Sequence, residues 1–502
     1  MVPPERRLGP ALELIDEGSY FTLTSGWQTG KTTSLFWLVD RLNAGNNLCA
    51  MSVDLQSARE EPDPAKVART ILEKLDRAAQ RDLPALSRPS ADQTAAFLAN
   101  PSTALQNFLT ALAAASVRPL VVLFDEADGL VGPAMVGFLT QLREGYIDRR
   151  RTPFPHAVAL VGMRQVRDYV LAEDDRRTVA WLGTTSPFNI TADALTLPTF
   201  TETDVTDLLA QHTAATGQVF EPPAAARVFE LTQGHPWLVN ALADQAVRRE
   251  VPSRSDPVTA SDIEAAKERV ILDRRTHIDS LIARLREPRV RRILDPMIAG
   301  ERTRGDALDD DFAYVISLGL LRRGEGTYEI ANPIYREVIP RALTYVDQGQ
   351  IQLRSSSFVR PDGSLDMPKL MAEWQVFWRE DGHLAAEGFH YRESGPHLML
   401  MAYLQRVVNG GGRIEREYAL GRGALDLLIR WRGARHVVEV KVRRGSRTEE
   451  RAVEQVSAYL TSLDQEEGWL VLFDLRKGVS WSERIWSKQV EQAGKRIHLV
   501  GC

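Results

Sequence analysis

The chain has 502 residues, more than a single hydrophobic core holds, so several domains are expected. Its composition, 44% hydrophobic and 26% charged, is that of a globular protein in water, and a formal net charge of −5 excludes a general basic field for nucleic acid. Two cysteines, Cys49 and Cys502, exclude a disulfide framework or a cysteine zinc site. No apolar run approaches the roughly 20 residues of a membrane span. The opening stretch "MVPPERRLGPALELIDEG" has no apolar signal core, so a cytoplasmic location without membrane contact is expected.

In chain order, "YFTLT" (20–24) reads as a strand, followed by the loop "SGWQTGKTT" (25–33) and a helix closed by Gly45. A second strand covers 48–55, alanine-rich helix fills most of 56–116, and two strongly apolar strands follow at 118–128 and 156–164. Strands alternating with helices predict a parallel α/β sheet, with the pattern ending near 188–205. Residues 200–270 read as a small helical module. From 271 to 345 the order is arginine-rich helix, helix, glycine-tipped hairpin, helix, which suits a winged helix. The polar stretch 346–366 is the candidate linker, and 367–502 returns to mixed α/β. The expected domains are therefore 1–199, 200–270, 271–345 and 367–502.

The first constellation lies in the loop. A glycine-rich turn between a strand and a helix holds phosphates with backbone N–H groups, its lysine reaches the β- and γ-phosphates, and the next hydroxyl binds Mg²⁺. Gly30-Lys31-Thr32 supply the second half of that pattern, while Ser25 stands at the first glycine position with Gly26 beside it. A serine fits there if its φ is negative. Gly26, Gln28, Thr29, Gly30, Lys31, Thr32 and Thr33 are the candidate ATP-binding set. The strand "LVVLFDEAD" ends in Asp125, placed to organise Mg²⁺ together with Thr32, and in Glu126, placed to polarise a water. Arg164 ends the next strand and is the candidate γ-phosphate sensor.

The second constellation is "HVVEVKVRR" (436–444). Alternation sets Val437, Glu439 and Lys441 on one face of a valine-rich strand, where a carboxylate is costly to bury unless something pairs with it. Asp426, in the preceding strand of a hairpin through "WRGARH", would come near Glu439. Two converging carboxylates repel unless a divalent cation lies between them. Mg²⁺ suits such a site, and a lysine beside it orients water or stabilises a charged transition state. The other reading is a strand-surface ion pair. Gln455 and Tyr459 share a face of the helix that follows, and Glu393 opens the helix before.

The loop and "LVVLFDEAD", with Gly234-His235-Pro236 in "TQGHPWLV", resemble the P-loop ATPases of the AAA-like and STAND groups over about residues 5–250. Glu393, Asp426, Glu439-x-Lys441 and Gln455 resemble the core of PD-(D/E)XK nucleases, although Leu425 stands where that family has its proline. That resemblance implies that Asp426 and Glu439 bind metal and that Lys441 is catalytic. Gln455 would support the site, and Glu393 is a further ligand candidate. Taken whole, the chain resembles prokaryotic fusions of such an ATPase to such a nuclease, which keep company with defence systems and mobile elements. The implied activity is ATP-controlled cleavage of nucleic acid, DNA first, at the C-terminal domain, with subunits able to associate through the ATPase core. Two alternatives stand beside it: a scaffold ATPase with an inactive nuclease fold, and a winged-helix regulator. The aspartates of "GDALDDDFAYV" argue against the last, because phosphates repel them, and favour packing on the ATPase. Arg284, Arg286, Arg289, Arg291, Arg292 and "KVRRGSR" (441–447) are the candidate backbone contacts.

Overall fold

The computed structural model describes the chain outside residues 1, 163–190, 274–275, 286, 299–308, 325–326, 344–357, 383–395, 398, 402, 405–411, 421–422, 444–447 and 477–478, with backbone alone for much of 412–426. It divides into two compact units: Met1–Asp273 with Ala307–Leu321, and Arg274–Asp306 with Arg322–Cys502.

The first unit begins with α1 (Glu5–Asp16), β1 (Tyr20–Thr24), α2 (Lys31–Ala44), β2 (Cys49–Asp54), α3 (Pro64–Asp82), α4 (Ala91–Leu98) and α5 (Ala104–Ala115). Then come β3 (Leu120–Asp125), α6 (Gly132–Asp148), β4 (Ala157–Gly162) and β5 (Thr191–Thr196). The strands form one parallel sheet in the order β2–β3–β4–β1–β5. Period-two alternation sends Val122 and Phe124 of β3 to one face and Val121 and Leu123 to the other, and helices cover both. α3, α5 and α6 bury Ile71, Phe108 and Phe138 on the first face, and α1 and α2 bury Leu8, Ile15, Leu35 and Leu38 on the second.

The fifth strand lies inside 188–205, where the apolar pattern gives out. β5 is half polar (TADALT) because it is an edge strand, with β1 as its sheet neighbour. Its backbone pairing with β1 is joined by Leu195 packing on the core and the Thr196 hydroxyl beside that of Thr24. Beyond it, α7 (Glu202–Thr216), α8 (Pro222–Thr232), α9 (Pro236–Gln245) and α10 (Ala260–Leu272) form the helical module. Reciprocal capping boxes, Thr201 with Asp204 and Thr259 with Asp262, start α7 and α10.

The second unit opens with α11 (Thr276–Arg284) and α12 (Pro288–Ile298). The chain then returns to the first unit for α13 (Asp310–Ser317) before a small hairpin of β6 (Leu321–Arg323) and β7 (Tyr328–Ile330) and the helix α14 (Pro333–Leu343). The stretch expected to be one winged-helix module is thus shared between the units. The later part of the expected linker is folded, since Phe358 and Leu365 are buried beside a bridge between Val359 and Leu365.

Next come α15 (Met367–Phe377), β8 (Gly412–Leu420), β9 (Gly423–Trp431), β10 (Ala434–Val442), α16 (Thr448–Ser462), β11 (Glu467–Phe473), β12 (Trp486–Gln492) and β13 (Lys495–Gly501). They build a six-stranded sheet in the order β12–β13–β11–β10–β9–β8. β8, β9 and β10 are an antiparallel meander, and α16 carries the chain to β11, parallel to β10. The β9–β10 turn is two residues, Arg432 (φ 45°) and Gly433 (φ 90°), and this doubly left-handed turn matches strand twist. α16 lays Val456, Tyr459 and Leu460 on Leu428, Val437, Leu470 and Leu499. Trp374 and Trp378, in and just beyond α15, contact Phe473, whose place in β11 turns it to the opposite face from Leu470 and Leu472.

Candidate functional site

In the first unit the loop 25–30 joins β1 to α2, and Gly30, in the left-handed region at φ 85°, is the N-cap of α2. Gln28 is also left-handed, at φ 53°, so ordinary and left-handed residues alternate through 27–30. Successive N–H groups in such an alternation converge on a concavity suited to an anion. Ser25 does not have a positive φ, so serine fits the first glycine position, and its hydroxyl pairs with that of Thr29. Gly26 answers a different need. A Cβ there would lie 3.1 Å from Gly319 Cα and 3.3 Å from Leu318 O, the turn that ends α13.

Lys31 is buried, and its Nζ donates to Ser25 O (3.1 Å) and Gly26 O (3.2 Å), folded into its own loop. Burial lowers its pKa against the pull of Glu126, Asp128 and Asp125. Thr32 Oγ1 donates to Asp125 Oδ2 at 3.0 Å, so the helix start and the end of β3 meet through two hard oxygen groups. Burial raises the pKa of both Asp125 and Glu126, and for Glu126 the neighbouring Asp128 and Asp125 add to the rise. A lysine, a hydroxyl and crowded carboxylates beside a ring of amides fit a Mg²⁺–nucleotide. Thr33 follows on α2 and is exposed. Arg164 lies outside the described residues. Arg149, first of three consecutive arginines, is structural: it donates to Gly18 O and His156 O and lies 4.0 Å from the Tyr146 ring centroid.

In the second unit, the described β9–β10 pairing runs from Trp431–Ala434 to Leu427–Val438. It stops one residue short of Asp426 on β9 and Glu439 on β10, and the Asp426 side chain lies outside the described atoms. Glu439 is fully buried, and Lys441, 31% exposed, donates to Glu439 Oε1 at 2.6 Å. Gln455 donates to the Tyr459 hydroxyl on α16. Glu393 lies outside the described residues. Among those described, no three His, Cys, Asp or Glu side chains group as a metal cluster. The basic run 284–292, from the end of α11 into α12, is partly neutralised, Arg284 by Glu287 and Arg291 by Asp295.

Residues 371–477 match a family described as a domain of unknown function, DUF8371. No curated protein matches the chain. Three solved structures are among those similar to it. The Walker-type ATPase Paby2304 of Pyrococcus abyssi has 16% identity over 67% of this chain and 94% of its own, with a TM-score of 0.46. The RuvB Holliday junction branch migration motor of Thermotoga maritima has 15% identity over 67% and 93%, at 0.33. Cdc6p of Pyrobaculum aerophilum has 14% identity over 68% and 92%, at 0.33.

Three residues beside the sites were not predicted as site residues. Arg7 donates to Thr29 O, and His235 Nε2 lies 3.0 Å from Trp27 O, both on the β1–α2 loop. His397 Nε2 lies 3.3 Å from Val440 O, between Glu439 and Lys441. Gly234-His235-Pro236 was visible as a motif; Arg7 and His397 carry no local signal, because long-range folding alone brings them there.

Proposed function

We propose that the first unit binds and hydrolyses ATP with Mg²⁺ and that this controls a metal-dependent phosphodiester nuclease in the C-terminal domain, acting on DNA. The observation that carries the reading is the bond between Thr32 and Asp125 across the start of α2 and the end of β3, beside Lys31. Thr32 and Asp125 would hold Mg²⁺, which supplies charge neutralisation between the phosphates. Lys31 binds the phosphate oxygens, and Glu126 accepts a proton from the attacking water. Replacing Lys31 with Ala abolishes ATP binding in a fluorescence titration; unchanged affinity would retire the nucleotide site.

For the C-terminal domain, the support is a carboxylate with no exposure on a central strand, paired to a lysine at 2.6 Å, with Asp426 next in line on the neighbouring strand. Antiparallel β8–β10, crossover α16 and parallel β11 agree with the helix–meander–helix order of PD-(D/E)XK enzymes. Asp426 and Glu439 would hold a divalent cation, which supplies Lewis acidity at the scissile phosphate, and Lys441 would orient the water. Asp426→Ala then stops cleavage of mixed DNA substrates in Mg²⁺ or Mn²⁺ while ATP binding persists. The second reading, an inactive nuclease fold on a scaffold ATPase, is supported by the Glu439–Lys441 contact itself, which serves equally as a structural ion pair. It predicts no cleavage by the wild-type chain under any of these conditions.

A further inference from the structure

Two buried side chains from outside the phosphate loop each hold one of its carbonyls. Arg7, on α1, donates through Nη2 to Thr29 O at 3.0 Å and through Nε to Pro198 O at 2.7 Å, with its guanidinium 5.2 Å from the Phe200 ring centroid. His235, the N-cap of α9, accepts from Leu238 N–H through Nδ1. That leaves the proton on Nε2, which donates to Trp27 O at 3.0 Å. The circuit closes through the backbone, where Phe200 N–H donates to Gly234 O at 2.8 Å. Gly234 is obligatory there: its φ is 72° and a Cβ would fall 1.8 Å from Phe200 O.

The two carbonyls belong to residues 27 and 29, on either side of left-handed Gln28. In a trans peptide the C=O and the next N–H point in opposite directions. Anchoring Trp27 O and Thr29 O therefore aims the N–H groups of Gln28 and Gly30 away from Arg7 and His235. Neither side chain needs to touch the nucleotide to act on it.

We propose that Arg7 and His235 are positioning residues of the nucleotide site, turning the Gln28 and Gly30 amides toward the β-phosphate, so that the seating of α9 on the loop sets phosphate affinity. This rests on the ATP-binding reading above. It assigns α1 and the helical module a share in phosphate recognition, with no contact to base or sugar.

The test is equilibrium binding of AMP, ADP and ATP, each with Mg²⁺, to the full chain. Arg7→Ala and His235→Ala each weaken ADP and ATP about tenfold relative to AMP, the size of one lost buried hydrogen bond. His235→Gln, whose amide donates from nearly the same place, restores the ADP-to-AMP ratio, and it also keeps the test valid if His235→Ala fails to fold. Arg7→Lys, with one point donor for two separated carbonyls, does not restore it. Folded variants with an unchanged ADP-to-AMP ratio, or with AMP, ADP and ATP weakened equally, overturn the inference and leave the nucleotide site standing. A wild-type chain that binds none of the three overturns both.

Discussion

His235 also couples this chain's stability to pH. Burial, with the Arg7 charge nearby, pushes its pKa from 6.5 down to about 4. The unfolded chain therefore takes up a proton below about pH 6.5 that the folded chain refuses until about pH 4, so stability falls as pH drops through that window. The full effect is on the order of 3 kcal/mol, and it is absent above the unfolded pKa. Urea midpoints for His235→Gln should fall less between about pH 7 and pH 5 than those of wild type; parallel slopes would show that another group governs the acid limb. Gly234→Ala tests the neighbouring position. With its Cβ 1.8 Å from a carbonyl oxygen at φ 72°, it should cost about 3 kcal/mol or more, read from the same midpoints.

At the scale of elements, the apolar strands declared themselves: β1, β2, β3 and β4 are uniform because helices bury both faces, and the loop between β1 and α2 carries its own punctuation. β5 did not, since an edge strand needs backbone partners more than apolar side chains. The hairpin β9–β10 was legible from "WRGARH", because Gly433 supplies one of two left-handed positions. Alternation likewise predicts Glu439 and Lys441 on a common face, and their 2.6 Å contact agrees with it. The aspartates at the start of α13 point to packing on the first unit, and the segment does belong to it; the tight approach of Gly319 to Gly26 was not legible, because it joins residues almost three hundred positions apart. The buried pair on β10 gives this scale its prediction. Lys441→Met removes the ammonium 2.6 Å from Glu439 and should destabilise by about 2 kcal/mol, below the range for wholly buried pairs because Lys441 is 31% exposed. Glu439→Leu with Lys441→Met should recover most of that loss in chemical denaturation, and a double variant as weak as the single one would show that the carboxylate has stronger supports.

For the whole molecule, chain path matters more than domain order. The polypeptide leaves the first unit at Asp273, returns for 307–321 and leaves again, so the segment whose turn meets Gly26 is bounded on both sides by the second unit's sequence. Any shift of the β1–α2 loop that moves Gly26 must therefore move, or release, a segment covalently continuous with α12 and β6. If ATP governs cleavage by this route, the two sites separate genetically. Lys31→Ala should keep a basal, Mn²⁺-dependent cleavage but lose its response to ATP. Asp426→Ala should keep ATP binding and lose cleavage with or without nucleotide. Gly319→Ala, which meets Gly26 Cα at 3.2 Å and is strained at φ 74°, should bind ATP yet shift the ratio of ATP-dependent to basal cleavage. Measured side by side on one labelled DNA substrate, a Gly319→Ala ratio equal to wild type in a folded, ATP-binding protein would rule out this turn as the coupling element, whatever the two sites do separately.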